Sequence, residues 1–259
     1  MTGIDRITKA FSKGHVAFMP YAVLGYPDRQ ASLAVVQTLA EAGADLLELG
    51  VPFSDPLADG PTIQAATQKS LENGTTLKDC LAMTGELRQR GVNTPALLMG
   101  YINPIMAFGI APFVAEAATV GVDGLIVPDL PPEEADELAD ACAKHGVALV
   151  FLLAPTSTAE RIQLVVEKSQ GFIYLVSLTG VTGARRDVPP DLADFVARVR
   201  AQTDKPLAIG FGIGNGEQAR QVSQLANGVI VGSALVKLAA ESLDNMRALA
   251  MELRAGVGK

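Results

Sequence analysis

Three carboxylates crowd the stretch LELGVPFSDPLADGPTIQAA, which begins at Leu47: Glu48, Asp55 and Asp59. Glu48 interrupts an apolar run just before it ends. Side chains alternate along a strand, so Glu48 shares a face with Leu46 and Gly50. A carboxyl group among such neighbours loses water, and that raises its pKa toward the range useful for proton transfer. The competing reading is a structural carboxylate bonded to a neighbouring strand. Asp55 and Asp59 follow in a loop, where turn-making and helix capping are the ordinary duties of aspartate. Asp59-Gly60-Pro61 is enough to start the helix PTIQAATQKSLENG. Both readings of Asp59 hold together, because a loop fixed by its own turns can hold a carboxylate in place.

A second constellation lies late in the chain, in SLTGVTGARRD, GFGIGNG and VGSA. Glycine-rich loops bring backbone N–H groups close to an anion, and a helix N-terminus adds a favourable dipole. Gly212, Gly232 and Ser233 fit a phosphate site; ordinary strand-to-helix turns are the alternative. GFGIGNG is no dinucleotide fingerprint, because the third glycine would fall on Asn215 or Glu217. Tyr174 shares parity with Phe172 and Val176, as a packed tyrosine or one that meets a ligand. Asp129 reads as a loop or capping residue, and Arg185-Arg186 as a solvated loop tip. Cys80 and Cys142 form no metal or redox motif and read as buried free thiols. His15 and His145 stand alone, which argues against a metal site or a histidine triad.

The elements that must position these residues are eight short apolar runs. They are VAFMPYAVLG from Val16, DLLELGV from Asp45, ALLMG from Ala96, DGLIVPD from Asp123, VALVFLLAP from Val147, GFIYLVSL from Gly171, PLAIGFG from Pro206 and GVIVGSA from Gly228. Continuous apolar runs mark parallel strands covered on both faces. Helical patterns separate them. ASLAVVQTLAEAG ends at Gly43, and PPEEADELADACAKHG opens on prolines and acids and closes on Lys144, His145 and Gly146. AEAGADLLELG, TVGVDGLIVPD and SQLANGVIVGS echo one another, each running from a helix end through a turn into a strand. Ile4, Ile7 and Phe11 mark a short N-terminal helix. The pattern predicts an α/β fold, a single (β/α)8 barrel domain over 1–259, with an open doubly wound sheet as the alternative. A barrel places active sites where strands end, which favours chemistry for Glu48, and often binds phosphate on the loops after strands seven and eight.

The chain of 259 residues is 49% hydrophobic, enough for a large core, and its net charge of −7 argues against a nucleic-acid surface. No apolar run reaches the ~18–20 residues of a membrane span, and no secretory signal opens the chain. A soluble, cytoplasmic, cofactor-poor protein is expected.

LLELGVPFSDPLADGPTIQAA, GYINPIMAFG, LIVPDLPPEE, YLVSLTGVTGAR and GFGI, taken in order, closely resemble the tryptophan synthase α subunit family across nearly the whole chain. That resemblance implies a (β/α)8 barrel that cleaves indole-3-glycerol phosphate to indole and glyceraldehyde 3-phosphate by a retro-aldol reaction. It implies Glu48 as the principal acid/base and Asp59 as acceptor of the indole N–H. Tyr21, Tyr174 and Thr182 would meet the substrate, and Gly183, Gly212, Gly232 and Ser233 would hold its phosphate. Asp55, Asn103 and Pro131 match the surface facing a β subunit in an αββα complex. Pyridoxal phosphate is implied only in that partner; this chain has no reason to bind it, and no metal is implied. Tyr21 departs from the phenylalanine common in the family's indole pocket, and its added hydroxyl needs a hydrogen-bond partner. Competing readings are a stand-alone indole-3-glycerol phosphate lyase, a catalytically silent activator of a β subunit, against which intact Glu48 and Asp59 count, and, distantly, another phosphate-binding barrel enzyme.

Overall fold

The computed structural model describes residues 1–176, 190–210 and 212–258. The apolar runs form parallel strands β1 (Ala17–Val23), β2 (Leu47–Gly50), β3 (Ala96–Met99), β4 (Gly124–Ile126), β5 (Ala148–Val150), β6 (Leu152–Leu153), β7 (Ile173–Val176), β8 (Leu207–Gly210) and β9 (Gly228–Val231). Their order is β5-β4-β3-β2-β1-β9-β8-β7-β6. The two ends of that order are halves of one run, VALVFLLAP, broken at Phe151. The first half pairs with β4 and the second with β7. At the break the Phe151 N–H donates 3.1 Å to Ser169 Oγ instead of to a strand. Eight predicted runs thus give nine strands, and the ring closes through the broken one. The closure excludes the open-sheet alternative.

The first helix, α1 (Gly3–Phe11), precedes β1, and the others cover the outside: α2 (Arg29–Glu41), α3 (Pro61–Glu72), α4 (Leu77–Gln89), α5 (Ile102–Phe108), α6 (Ile110–Thr119), α7 (Asp136–His145), α8 (Ala159–Lys168), α9 (Pro190–Arg200), α10 (Gly216–Ser223), α11 (Ser233–Glu241) and α12 (Leu243–Gly256). The helix expected from Pro131-Pro132 starts later. Those residues lead into one 3-10 turn, Pro132–Glu134, and α7 begins at Asp136. It ends as the sequence indicates, at Gly146 in the left-handed region, φ 67°. No single helix among the described residues is long and apolar enough to cross a membrane.

Strand alternation makes two apolar layers. Leu47, Leu49 and Leu98 point outward to helix residues such as Leu33, Leu81 and Phe113. Met19, Leu46, Leu97, Ile126, Val150, Phe172 and Ile230 fill the barrel. Ile7 and Ala10 of α1 join that interior cluster and plug its N-terminal end. Gly171 makes room for the plug. Its φ is +77°, and a Cβ there would lie 2.8 Å from Ile7 Cγ2.

The same end is tied by a repeated bracket. Asp45 N–H donates to Phe18 O (2.9 Å), and Phe18 N–H donates back to Asp45 Oδ2 (3.0 Å). Asp123 and Ala96 exchange the same two bonds at 2.9 and 2.8 Å. Asn227 and Leu207 do so at 2.8 and 3.0 Å. Gln170 and Leu149 complete the set at 3.0 and 3.2 Å. Each bracket joins the residue ahead of one strand to the start of the strand before it. The echo of ADLLELG, VDGLIVPD and ANGVIVGS is three of these four; Gln170 is the fourth, one methylene longer. Arginines reinforce three of them: Arg254 on Asp45, Arg88 on Asp123 and Arg200 on Asn227.

Candidate active site

Glu48 lies in the barrel interior near the C-terminal end of β2, level with Tyr21 on β1 and Leu97 on β3. It is 1% exposed. Neither carboxyl oxygen has a hydrogen-bond partner among the described residues. A structural carboxylate is ordinarily bonded, and no described residue bonds this one. Burial, and then the nearby charge of Asp59, push the Glu48 carboxyl up to about 8.

Asp59 stands on the loop after β2. Its side chain does not cap α3. Gly60 is the N-cap without a side-chain bond, and Pro61, which has no N–H to satisfy, takes the first helical position. Asp59 Oδ2 instead accepts from the Tyr101 hydroxyl at 3.1 Å. That hydroxyl in turn accepts from Ala58 N–H at 3.0 Å. Gln64 Nε2 donates to Asp59 O at 2.8 Å, and Asp59 N–H to Pro56 O at 3.1 Å. Burial raises the Asp59 carboxyl and the Tyr101 bond partly offsets it, leaving it at about 6. Two carboxyl groups of unlike proton affinity therefore share one mouth. Near neutral pH the first is mostly protonated and the second mostly ionised.

Two further phenols line the mouth. The Tyr21 hydroxyl fills the space over Gly50, 2.0 Å from where a Cβ would stand, and a Cβ at Gly232 would lie 3.6 Å from the Tyr21 side chain. Tyr174 covers Gly210 in the same manner, at 2.6 Å. Neither hydroxyl hydrogen-bonds a described residue, so the partner that Tyr21 needs is not supplied by them. Burial, with the charges of Glu48 and Asp59, raises both phenols well above their ordinary value. Gly50→Ala is expected to drive its methyl into the Tyr21 ring, lowering stability by about 1–3 kcal/mol. A denaturation midpoint equal to that of the parent chain would refute this packing.

The expected anion contacts divide. Gly232 is the N-cap of α11 and supplies no side-chain cap, so Ser233 begins the helix with its first N–H groups uncapped. Helices α2, α4, α8, α10 and α12 are by contrast capped by Asp28, Thr76, Thr158, Asn215 and Ser242. In the loop after β8, Gly214 and Gly216 spend their N–H groups on Gln218 and Glu252. Gly212 is exposed, with open space on its Cβ side. Thr182 and Gly183 lie outside the described residues, as do Arg185 and Arg186. Asp55 and Asn103 are exposed and Pro131 is half-buried, after the adjacent strands β2, β3 and β4. Leu57, 89% exposed, and Met106, 60% exposed, lie on the same arc. Asp129 does cap, but a neighbouring element: its Oδ1 accepts from Ile102 N–H, at the start of α5, at 3.0 Å. Cys80 and Cys142 are free and buried. No cluster of metal-ligating side chains occurs among the described residues.

Tyr101 was not singled out by the sequence. The signal was an aromatic with a polar tip directly after a strand, in ALLMGY, where a barrel opens its mouth.

A barrel with two neighbouring carboxyl groups of unlike proton affinity among phenols at its C-terminal end defines a class: a (β/α)8 barrel with a candidate acid–base site. Comparison narrows it. The profile described as tryptophan synthase alpha chain matches residues 7–259. The alpha chain of Chloroflexus aggregans is 51% identical over 90% of this chain and 89% of its own. That of Dehalococcoides mccartyi is 47% identical over 97% and 98%. Tryptophan synthase of Mycobacterium tuberculosis superposes with a TM-score of 0.90 at 42% identity, over 98% of this chain and 96% of that one. The Legionella pneumophila alpha subunit gives 0.90 at 37%, over 99% and 98%. The chain belongs to the tryptophan synthase alpha chain family. Membership implies a lyase role in tryptophan synthesis and a β-subunit partner.

Proposed function

We propose that the chain cleaves indole-3-glycerol phosphate to indole and glyceraldehyde 3-phosphate, as the α partner of an αββα complex. The observation that carries this reading is Glu48, a buried carboxyl group with neither oxygen bonded by a described residue, beside a second carboxyl of lower proton affinity. Protonated near neutral pH, Glu48 donates to indole C3. The ring becomes an iminium cation, and ionised Asp59 accepts the N–H and stabilises the charge. The C3–glycerol bond then breaks, and its electrons neutralise the ring. The glycerol hydroxyl becomes a carbonyl and returns its proton to Glu48, so the acid is restored. The step needs no metal or organic cofactor from this chain; pyridoxal phosphate belongs to the β partner's reaction.

The uncapped N-terminus of α11 at Gly232 and Ser233, with Gly212 after the neighbouring strand β8, suits the substrate phosphate; Gly183 would join them, and Thr182 would meet the substrate. Phosphate held there anchors the substrate away from the bond that breaks, so binding energy orients the ring between the two carboxyls. Tyr21 and Tyr174 would bound the ring's pocket. Asp55, Asn103 and Pro131, with exposed Leu57 and Met106, suit a partner surface. Order in the loop after β2 then becomes common to that partner and to Asp59.

The test is release of indole from indole-3-glycerol phosphate by the purified chain, alone and with a tryptophan synthase β subunit. Slow release alone, accelerated by the β subunit, is expected. No release from a folded protein in either case would overturn the reading.

A further inference from the structure

We propose that Tyr101 is a positioning residue for this cleavage: its hydroxyl holds Asp59 by one carboxylate oxygen so that the other faces the substrate's ring nitrogen. The inference rests on the reaction assigned above and adds a residue to it. Tyr101 OH is the single donor to the Asp59 side chain among the described residues, at 3.1 Å on Oδ2. Oδ1 makes no hydrogen bond with them. The same hydroxyl accepts from Ala58 N–H at 3.0 Å, so its donor direction is committed to Asp59. The ring is itself held. It is 4% exposed and lies against Phe53 with centroids 5.2 Å apart. The backbone at Ile102 is pinned from the next loop by Asp129. A carboxylate on a loop is thereby fixed to a rigid strand end, which is what an oriented acceptor requires.

The bond also separates the two carboxyls. The titratable groups facing Asp59 and Tyr101 are Glu48 on β2, Tyr21 on β1, Tyr174 on β7 and Asp129 after β4. All are acids, and among the described residues no cation offsets them. Tyr101 is thus the group that favours the ionised form of Asp59 against burial. Without it the proton affinity of Asp59 approaches that of Glu48, and the acid and the acceptor lose their distinction.

Tyr101→Phe removes the hydroxyl and keeps the ring against Phe53. Indole release is measured from pH 5 to 9 for parent and variant, each with a β subunit. The parent should give a bell with limbs near 6 and 8. In the variant the rising limb should move up by about one pH unit. At pH 6.5 that shift lowers kcat about threefold, and about tenfold at pH 5.5, with KM changed less than about threefold. An equal loss at every pH, with the rising limb in place, means a structural role only and overturns the proposal. A second measurement stands apart from activity: 13C-carboxyl titration of Asp59 and Glu48 in the parent and in Tyr101→Phe. It should find Asp59 ionising below Glu48 in the parent and closer to it in the variant, and the same separation in both chains would overturn the proposal. A parent chain that releases no indole would sink the assigned reaction, while this titration would still decide the part played by Tyr101.

Discussion

Glu48→Gln is expected to lose cleavage activity by about a thousandfold or more and at the same time to make the fold more stable at alkaline pH. The first effect is the loss of a general acid whose proton leaves and returns in each turnover. The second follows from linkage. The Glu48 carboxyl ionises at about 8 in the folded chain against an ordinary 4.5. Between those values the folded chain retains a proton that the unfolded chain has released. Stability therefore falls as pH rises through that window, at up to ~1.4 kcal/mol per pH unit, and the whole cost is present above pH 8. Glutamine is neutral throughout and resembles the protonated acid in shape. The two chains should be about equally stable at pH 4.5, and the variant more stable by roughly 2–4 kcal/mol at pH 8.5. Urea denaturation at the two pH values measures this directly. A stability difference that ignores pH would mean that Glu48 is already ionised, or paired, in the folded chain at neutral pH.

Asp45→Ala is expected to lower stability by about 3–5 kcal/mol, with Asp45→Asn between it and the parent. Asp45 is buried, yet it meets Lys13 at 2.7 Å, His15 at 3.1 Å and Arg254 at 2.8 Å, and it closes the bracket on Phe18. Alanine leaves Arg254 and the Phe18 N–H without that acceptor. Asparagine keeps an acceptor for Phe18 but not the charge. Burial alone would raise the Asp45 carboxyl; the bonds from Lys13, Phe18 and His15 outweigh burial and hold it below its ordinary value. The contribution is thus complete above about pH 4 and is lost as pH falls through the depressed folded value. Glu217, paired with Arg220 on the exposed face of α10, offers the contrast. Its removal should leave the denaturation midpoint nearly unchanged, because solvent screens an exposed pair. Equal denaturation midpoints for Asp45→Ala and Glu217→Ala would refute the weight given to the bracket.

Much of this was legible in the residues. Apolar runs broken by glycine and proline fixed the strands, because parallel strands covered on both faces have no polar side to disguise them. Glu48 was visible because a lone carboxylate in such a run has few explanations. Asp59 was ambiguous, since DGP reads equally as a helix start; only the direction of its side chain, toward Tyr101, resolves it. Closure of the barrel was not legible, because pairing of the first and last strands leaves no local mark. The break at Phe151 was hidden in an unbroken apolar run, VALVFLLAP. Gln170 escaped because its amide does, from one bond further out, what aspartate and asparagine do elsewhere. Tyr101 escaped because its contacts reach back some forty residues, to a loop whose path no local pattern gives.

The four brackets have a consequence for where the chain can be cut. Each ties together two apolar runs that are consecutive along the backbone, β5 and β6 being halves of one run, so the barrel is four successive two-run units. Arg254 also reaches Val16 O and Gly258 O, which ties the C-terminal end of the chain to the start of β1, while Gly3 N–H donates to Gly146 O at the same end of the barrel, so a flexible linker can join the termini. A circular permutant that joins those ends and opens at Gly91, in the turn between α4 and β3, would keep every bracket inside a continuous segment. Opened instead at Gly43, between β1 and β2, the chain would have to close the Asp45 bracket between its new termini, as the closure of a very long loop. The first permutant should fold much as the parent does, and the second more slowly.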